Sequence, residues 1–300
     1  MDQASKLRNL IKSEQESKPA KRPLSRVITV TSGKGGVGKS NTAINLALQF
    51  KKLGKRVIIL DADFGLANIE IMFGTVPKHN FCDLIYQGKE ITEIITWGPG
   101  EVGFISGGSG IAGLSNLDRK YLEYIIQNLA KLDAIADVII IDTGAGISDA
   151  VMDFLVASGE ILVVTTPEPT SITDSYSLIK ALNRHPRFSK ENSKIKVIAN
   201  RVRSEDEGMS LFKKLNSVVS RYLNLEIEYT GSVPQDDKLS NAVMQQSPVS
   251  IAYPSAKSAK AYEEITRKLM NMETEGNIRK RGMAAFFSHI VANTKKNHEP

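Results

Sequence analysis

The chain has 300 residues, 41% of them hydrophobic and 24% charged, with a net charge of +6, the composition of a globular protein with one large α/β domain or two small ones. A single cysteine, Cys82, excludes an internal disulfide framework and any cysteine-paired metal or iron–sulfur site within one chain, and points to a reducing compartment. No apolar run approaches the roughly 20 residues of a membrane span, and a polar N-terminus up to Ser25 lacks the h-region of an export signal, so a cytoplasmic protein is expected.

Residues 1–26 carry seven Lys/Arg against three Asp/Glu. Met1–Lys12 suits a short amphipathic helix with Ala4, Leu7, Leu10 and Ile11 on one stripe. Such a helix needs something to pack on; a disordered extension is the alternative. Residues 14–26, with Pro19 and Pro23, read as a linker.

Val27–Val30 is a short β-branched run that predicts a strand, and Asn41–Leu53 shows helical spacing through Ala43, Ile44, Leu46, Ala47, Leu48 and Phe50. Between them lies Gly33-Lys34-Gly35-Gly36-Val37-Gly38-Lys39-Ser40. Strand, glycine-rich loop and helix in that order form a phosphate-binding loop. Its glycines let backbone N–H groups turn inward on an anion, and the helix N-terminus at Asn41 adds its dipole. Lys39 reaches the β- and γ-phosphates, and the Ser40 hydroxyl suits Mg²⁺.

Arg56–Leu60 predicts a buried strand that ends on Asp61, Ala62 and Asp63, where parallel α/β sheets place ligands. Gly98–Gly100 and the glycine-rich Ser106–Gly110 read as loops, and Leu117–Leu132 as a helix. Asp137–Ile141 is a strand that delivers Asp142 at its C-terminal end, the Walker B arrangement, where the carboxylate holds Mg²⁺ through water. Gly144 frees a backbone N–H for the γ-phosphate and makes residues 143–146 a switch. Further strands are expected at Glu160–Thr166, Lys194–Ala199 and Tyr229–Val233. Ser171–Asp174 reads as a capping box opening a helix.

A closing helix is expected over residues 255–271, with a linker after it. Residues 278–296 hold five Lys/Arg and no acid, so the two tails carry the basic excess and the body between them is slightly acidic. Met283, Phe286, Phe287 and Ile290 share one helical face between basic flanks. That pattern describes a helix lying on an anionic membrane over residues 278–291; a helix packed on the body or on a partner is the alternative.

The lysine at the start of the loop, Lys34, makes the octet resemble the deviant Walker A sequence of the MinD/ParA-type ATPases. Asp2, Gln3, Ala4, Leu7 and Arg8 match the D-Q-A-x-x-L-R signature of FlhG-type flagellar ATPases. The resemblance covers residues 27–272 for the ATPase body, with 1–26 as an activator segment and 273–300 as a targeting tail. It implies a doubly wound, mostly parallel α/β fold in a single domain, ATP and Mg²⁺ as cofactors, and slow hydrolysis of the β–γ bond. It further implies that Lys34 reaches the nucleotide of a partner subunit in a homodimer. Asp63 orients the attacking water, Asn68 couples hydrolysis to the dimer face, and Asp61 supports the Mg²⁺ water shell. Asn200, Arg201, Pro234 and Asp236 bound the base, although Asn and Pro at strand ends are also ordinary turn residues. The implied partners are an FlhF-type GTPase through residues 1–12, flagellar switch-complex proteins, and the inner face of the cell membrane in the ATP state. A ParA-like DNA-partitioning ATPase is the rival, although the acidic body argues against specific nucleic-acid binding. Antagonism of a transcription regulator is left open.

Overall fold

The central strand segments are buried at nearly every position because both faces of the sheet they form are covered. The computed structural model describes residues 24–63, 68–107, 119–274 and 282–294. The expected partner-docking segment at 1–12, the stretch 64–67, the second glycine-rich loop from residue 108 and the basic run Arg279–Arg281 lie outside the described residues.

Among the described residues, eight strands make one sheet: β1 (Arg26–Ser32), β2 (Val57–Ala62), β3 (Thr96–Trp97), β4 (Gly103–Ile105), β5 (Val138–Ala145), β6 (Glu160–Thr165), β7 (Lys194–Val202) and β8 (Ile227–Pro234). Their order is β3-β4-β2-β5-β1-β6-β7-β8, parallel throughout except for the short β3 against β4. The helices are α1 (Lys39–Lys52), α2 (Asn68–Phe73), α3 (Phe81–Gln87), α4 (Arg119–Ala130), α5 (Leu132–Ile135), α6 (Asp149–Ala157), α7 (Pro169–Arg184), α8 (Glu205–Leu223), α9 (Asp237–Met244), α10 (Val249–Ala252), α11 (Lys257–Thr274) and α12 (Gly282–Thr294).

Alternation along the strands sorts the core into layers. Val57, Ile59, Val138 and Ile140 pack with α1 and α11 on one face. Ile58, Leu60, Ile139 and Ile141 pack with α3, α4, α6 and α12 on the other. Ile161, Val163, Ile195 and Val197 extend the core toward α7 and α8. The chain passes from β5 on one side of β1 to β6 on the other. That reversal opens a crevice at the strand C-termini, where doubly wound sheets bind ligands.

Two features of the fold go beyond or against the sequence reading. Arg26, Glu160 and Lys196, all about 1% exposed, form a buried ion network. Arg26 donates from Nε and Nη2 to Glu160 at 2.8 and 2.7 Å and from Nη1 to the Leu269 carbonyl at 2.9 Å, while Lys196 Nζ lies 2.6 Å from Glu160. Burial alone would raise the Glu160 carboxyl, but the two cations outweigh it and hold it low. The second feature is the start of α7. Pro169 occupies its first turn and Glu168 its N-cap, because proline is pre-set for that position. Ser171 is therefore inside the helix, where its hydroxyl accepts the Thr166 N–H instead of capping.

The C-terminal helix takes the body-packed alternative in this structure. Met283, Phe286, Phe287 and Ile290 are buried. Phe287 stacks on Phe81 of α3, and Phe286 and Phe287 both pack on Phe154 of α6. Each such side chain is worth about 1.5–3 kcal/mol in transfer terms, before the cost of ordering the helix. The Arg187 guanidinium donates to the His289 carbonyl.

Candidate nucleotide site

The loop after β1 turns at Gly36 (φ 77°) and Gly38 (φ 93°), left-handed values that a side chain would strain. Gly38 is the N-cap of α1, which has no side-chain cap and no acid in its first turn. The N–H groups there remain available to an anion, with the helix dipole behind them. Gly33 is required for a different reason. A Cβ on it would lie 2.2 Å from the Asp174 carbonyl carbon, so the loop rests on the backbone of α7.

Lys39, at 7% exposure, donates to Asp142 Oδ1 at 2.7 Å and lies 3.4 Å from Ser40 Oγ. Asp142 is fully buried, and its Oδ2 has no hydrogen-bond partner among the described residues. The β2–β5 register sets Asp61 directly beside Asp142. Burial, and then the charge of Asp142, push Asp61 up to about 7. Burial likewise raises Asp142, against the pull of Lys39. Two carboxylates thus share one lysine, an arrangement that a divalent cation would relieve. The Ser40 hydroxyl, Asp61 and Asp142 with its unpartnered Oδ2 form an all-oxygen set that fits Mg²⁺. No group of three His, Cys, Asp or Glu able to hold a metal occurs among the described residues. Phosphate and water oxygens would therefore supply most of the coordination.

Asp61 also braces the segment that follows β2. It accepts the Asp63 N–H at 3.1 Å and the Ile69 N–H at 3.3 Å. Asn68 Nδ2 donates to Asp63 Oδ2 at 3.2 Å. The other oxygen of Asp63 would lie 3.6 Å from a Cβ on Gly144, so this segment and residues 143–146 meet there. The Gly146 N–H donates to the Ser32 carbonyl at 2.9 Å and ties residues 143–146 to the loop.

Lys34 is bound outside this cluster. Its Nζ lies 2.8 Å from Glu168 Oε2 and 3.1 Å from Thr170 Oγ1, in a half-exposed position. Glu168 was missed in the sequence, although it follows β6 by three residues, in the connection after a strand C-terminus as Asp63 is after β2, and that position could have found it. Asn200, expected at the base, donates from Nδ2 to the Val37 carbonyl of the loop at 2.7 Å, and its Oδ1 is buried without a partner among the described residues. Arg201 is exposed in a left-handed conformation (φ 57°), and half-buried Pro234 pairs with Val202. Asp236 is engaged on both oxygens: it accepts the Lys238 N–H at 3.0 Å and the Ser258 N–H and hydroxyl at 3.0 and 2.8 Å. Asn41 sits half-buried in the first turn of α1.

The model of the CobQ/CobB/MinD/ParA nucleotide binding domain matches residues 28–249. The antiactivator FleN of Pseudomonas aeruginosa is 39% identical over 87% of this chain and 91% of its own. The flagellum site-determining protein YlxH of Helicobacter pylori is 32% identical over 97% of this chain and 98% of its own. The septum site-determining protein MinD from Pyrococcus horikoshii, solved with Mg-ADP, superposes with a TM-score of 0.66 at 21% identity, covering 83% of this chain and 98% of that one, a likeness of fold.

Proposed function

Since the chain belongs to the CobQ/CobB/MinD/ParA nucleotide-binding family, together with FleN and YlxH, we propose that it is an ATP-hydrolysing dimerisation switch that controls the number and placement of flagella. The carrying observation is the split of the loop's two lysines. Lys39 is buried on the Asp142–Asp61 pair, while Lys34 is held half-exposed by Glu168.

The loop N–H groups and Lys39 bind the phosphates of ATP. Ser40, Asp142 and Asp61 would hold Mg²⁺ and its waters; when bound, the ion neutralises charge on the phosphate oxygens. Asp63, aligned by Asn68, orients the attacking water. Asn200, Arg201 and Pro234 border the base, with Asn200 linking that pocket to the loop. Lys34 exchanges Glu168 for the nucleotide of a facing subunit and closes a homodimer, where its charge stabilises the transferring phosphoryl group in place of an arginine finger.

Membrane attachment uses the face of α12, which must first leave the body. The basic residues around it supply attraction to anionic lipid. Paired helices in a dimer would hold far better than one. Residues 1–12 engage an FlhF-type GTPase, and switch-complex proteins are the further partners.

The test is light scattering with a non-hydrolysable ATP analogue and Mg²⁺. The unmodified protein is expected to double in mass and Lys34→Ala to stay monomeric. Equal masses for the two would overturn the switch.

A further inference from the structure

We infer that Asp133 couples the two tails, so that engagement of the N-terminal segment loosens the C-terminal helix. Asp133 lies in α5, and its Oδ1 accepts the Ser25 N–H at 3.3 Å and the Met283 N–H at 3.1 Å. Its Oδ2 lies 3.2 Å from the same Met283 nitrogen. One carboxylate therefore holds both the entry of the chain into β1 and the first turn of α12. At α12 it sits where unpaired N–H groups and the helix dipole favour a negative charge.

Leu24 forms the second wall of this junction. Gly282 is left-handed (φ 69°), and a Cβ on it would lie 2.5 Å from Asp133 Oδ2 and 3.0 Å from Leu24 Cδ2. The start of α12 thus fits a slot that only glycine can enter, bounded by Asp133 and Leu24. Just beyond, the chain is fixed firmly. The Ser25 hydroxyl donates to the Ala136 carbonyl at 2.7 Å, and the Arg26 N–H donates to the Asp137 carbonyl at 3.0 Å. A partner that draws on the N-terminal side displaces Leu24 and the Ser25 N–H before it disturbs β1. These are the groups that share Asp133 and the slot with α12.

Linkage makes the effect reciprocal: release of α12 eases engagement of the N-terminal segment by the same factor. This coupling rests on the tail assignments under Proposed function, but its physical core can be tested without them. In the full chain, hydrogen exchange at amides 283–290 reads the docking of α12. Leu24→Ala and Asp133→Ala are each expected to speed that exchange about fivefold with β5 unchanged, and Asp133→Asn to fall between. Unaltered exchange in both alanine variants would overturn the coupling. Adding a purified FlhF-type GTPase to the unmodified protein should speed the same amides, with no further increment in Asp133→Ala. A GTPase that binds without this change also overturns the coupling. One that fails to bind defeats the partner assignment alone, and the two variants still decide the rest.

Discussion

Lys34 Nζ sits 2.8 Å from Glu168 Oε2, so the loop's extra lysine is held by its own chain at the N-cap of α7. Thr170 Oγ1 adds a second contact at 3.1 Å. The Lys34 ammonium also holds the Glu168 carboxyl below its usual range. Any role for Lys34 on a facing subunit must compete with this pair. Because the pair is solvent-accessible, the competition is mild. Glu168→Gln is expected to lower the analogue concentration for half-maximal dimerisation by about two- to fivefold, read by light-scattering titration. An unshifted midpoint would mean that Glu168 does not restrain the lysine.

Asn200 spends its amide N–H on the loop, not in open solvent: Nδ2 lies 2.7 Å from the Val37 carbonyl, in a fully buried position. Asn200→Ala leaves that carbonyl unpaired at a cost of about 1–3 kcal/mol. Both thermal stability and nucleotide affinity should fall, because the loop loses a brace. If Asn200 only touched the base, affinity would drop while the melting temperature of the nucleotide-free protein stayed put.

Asp153 on α6 supplies a pH signature. Its carboxyl is raised to about 6, first by burial, against Arg187 and with a contribution from Asp149. A folded value above the unfolded one means that the contribution is complete below about pH 4. It is lost as the pH rises through 6. Asp153→Asn should flatten stability between pH 4 and 6 and gain about 1 kcal/mol at pH 7, discounted for the group's partial exposure. Urea midpoints at pH 4, 5, 6 and 7 for both proteins measure the difference.

What the sequence revealed is local. The octet Gly33–Ser40, its flanking strand and helix, and Asp61 and Asp142 at strand ends are each defined by neighbours within a few residues. The sheet then brings the two acids side by side through the β2–β5 register. The hidden contacts join distant segments: Lys34 with Glu168, Asn200 with Val37, and Arg26 with Glu160 are 134, 163 and 134 residues apart. No periodicity encodes such pairs. The Ser171–Asp174 capping pattern misled because Pro169 starts the helix sooner. The face of α12 was ambiguous in principle. Met283, Phe286, Phe287 and Ile290 present the same apolar stripe to a membrane as to a core.

The Arg26–Glu160–Lys196 network should behave as a buried ion cluster with no part in turnover. Removing one member strands the others' charges, so Glu160→Ala should destabilise by about 3–5 kcal/mol. Denaturant unfolding gives the stability, and ATP hydrolysis per folded molecule should be nearly unchanged. A large fall in specific activity would instead tie the network to the site.

Arg187 separates docking of the C-terminal helix from its membrane face. Its guanidinium donates to the His289 carbonyl from the segment after α7 and touches none of the four apolar residues by that bond. Arg187→Ala therefore weakens the hold of the body while leaving Met283, Phe286, Phe287 and Ile290 intact for lipid. One lost hydrogen bond of about 1 kcal/mol corresponds to roughly a fivefold shift toward the released helix. Sedimentation with anionic vesicles without nucleotide should rise by that factor. Phe287→Asp should also release the helix, because a carboxylate cannot remain between Phe81 and Phe154. It should nevertheless fail to pellet, because the same charge spoils insertion. If both variants exchange faster at amides 283–290 and neither pellets, the helix is a movable part of the fold and not a membrane anchor.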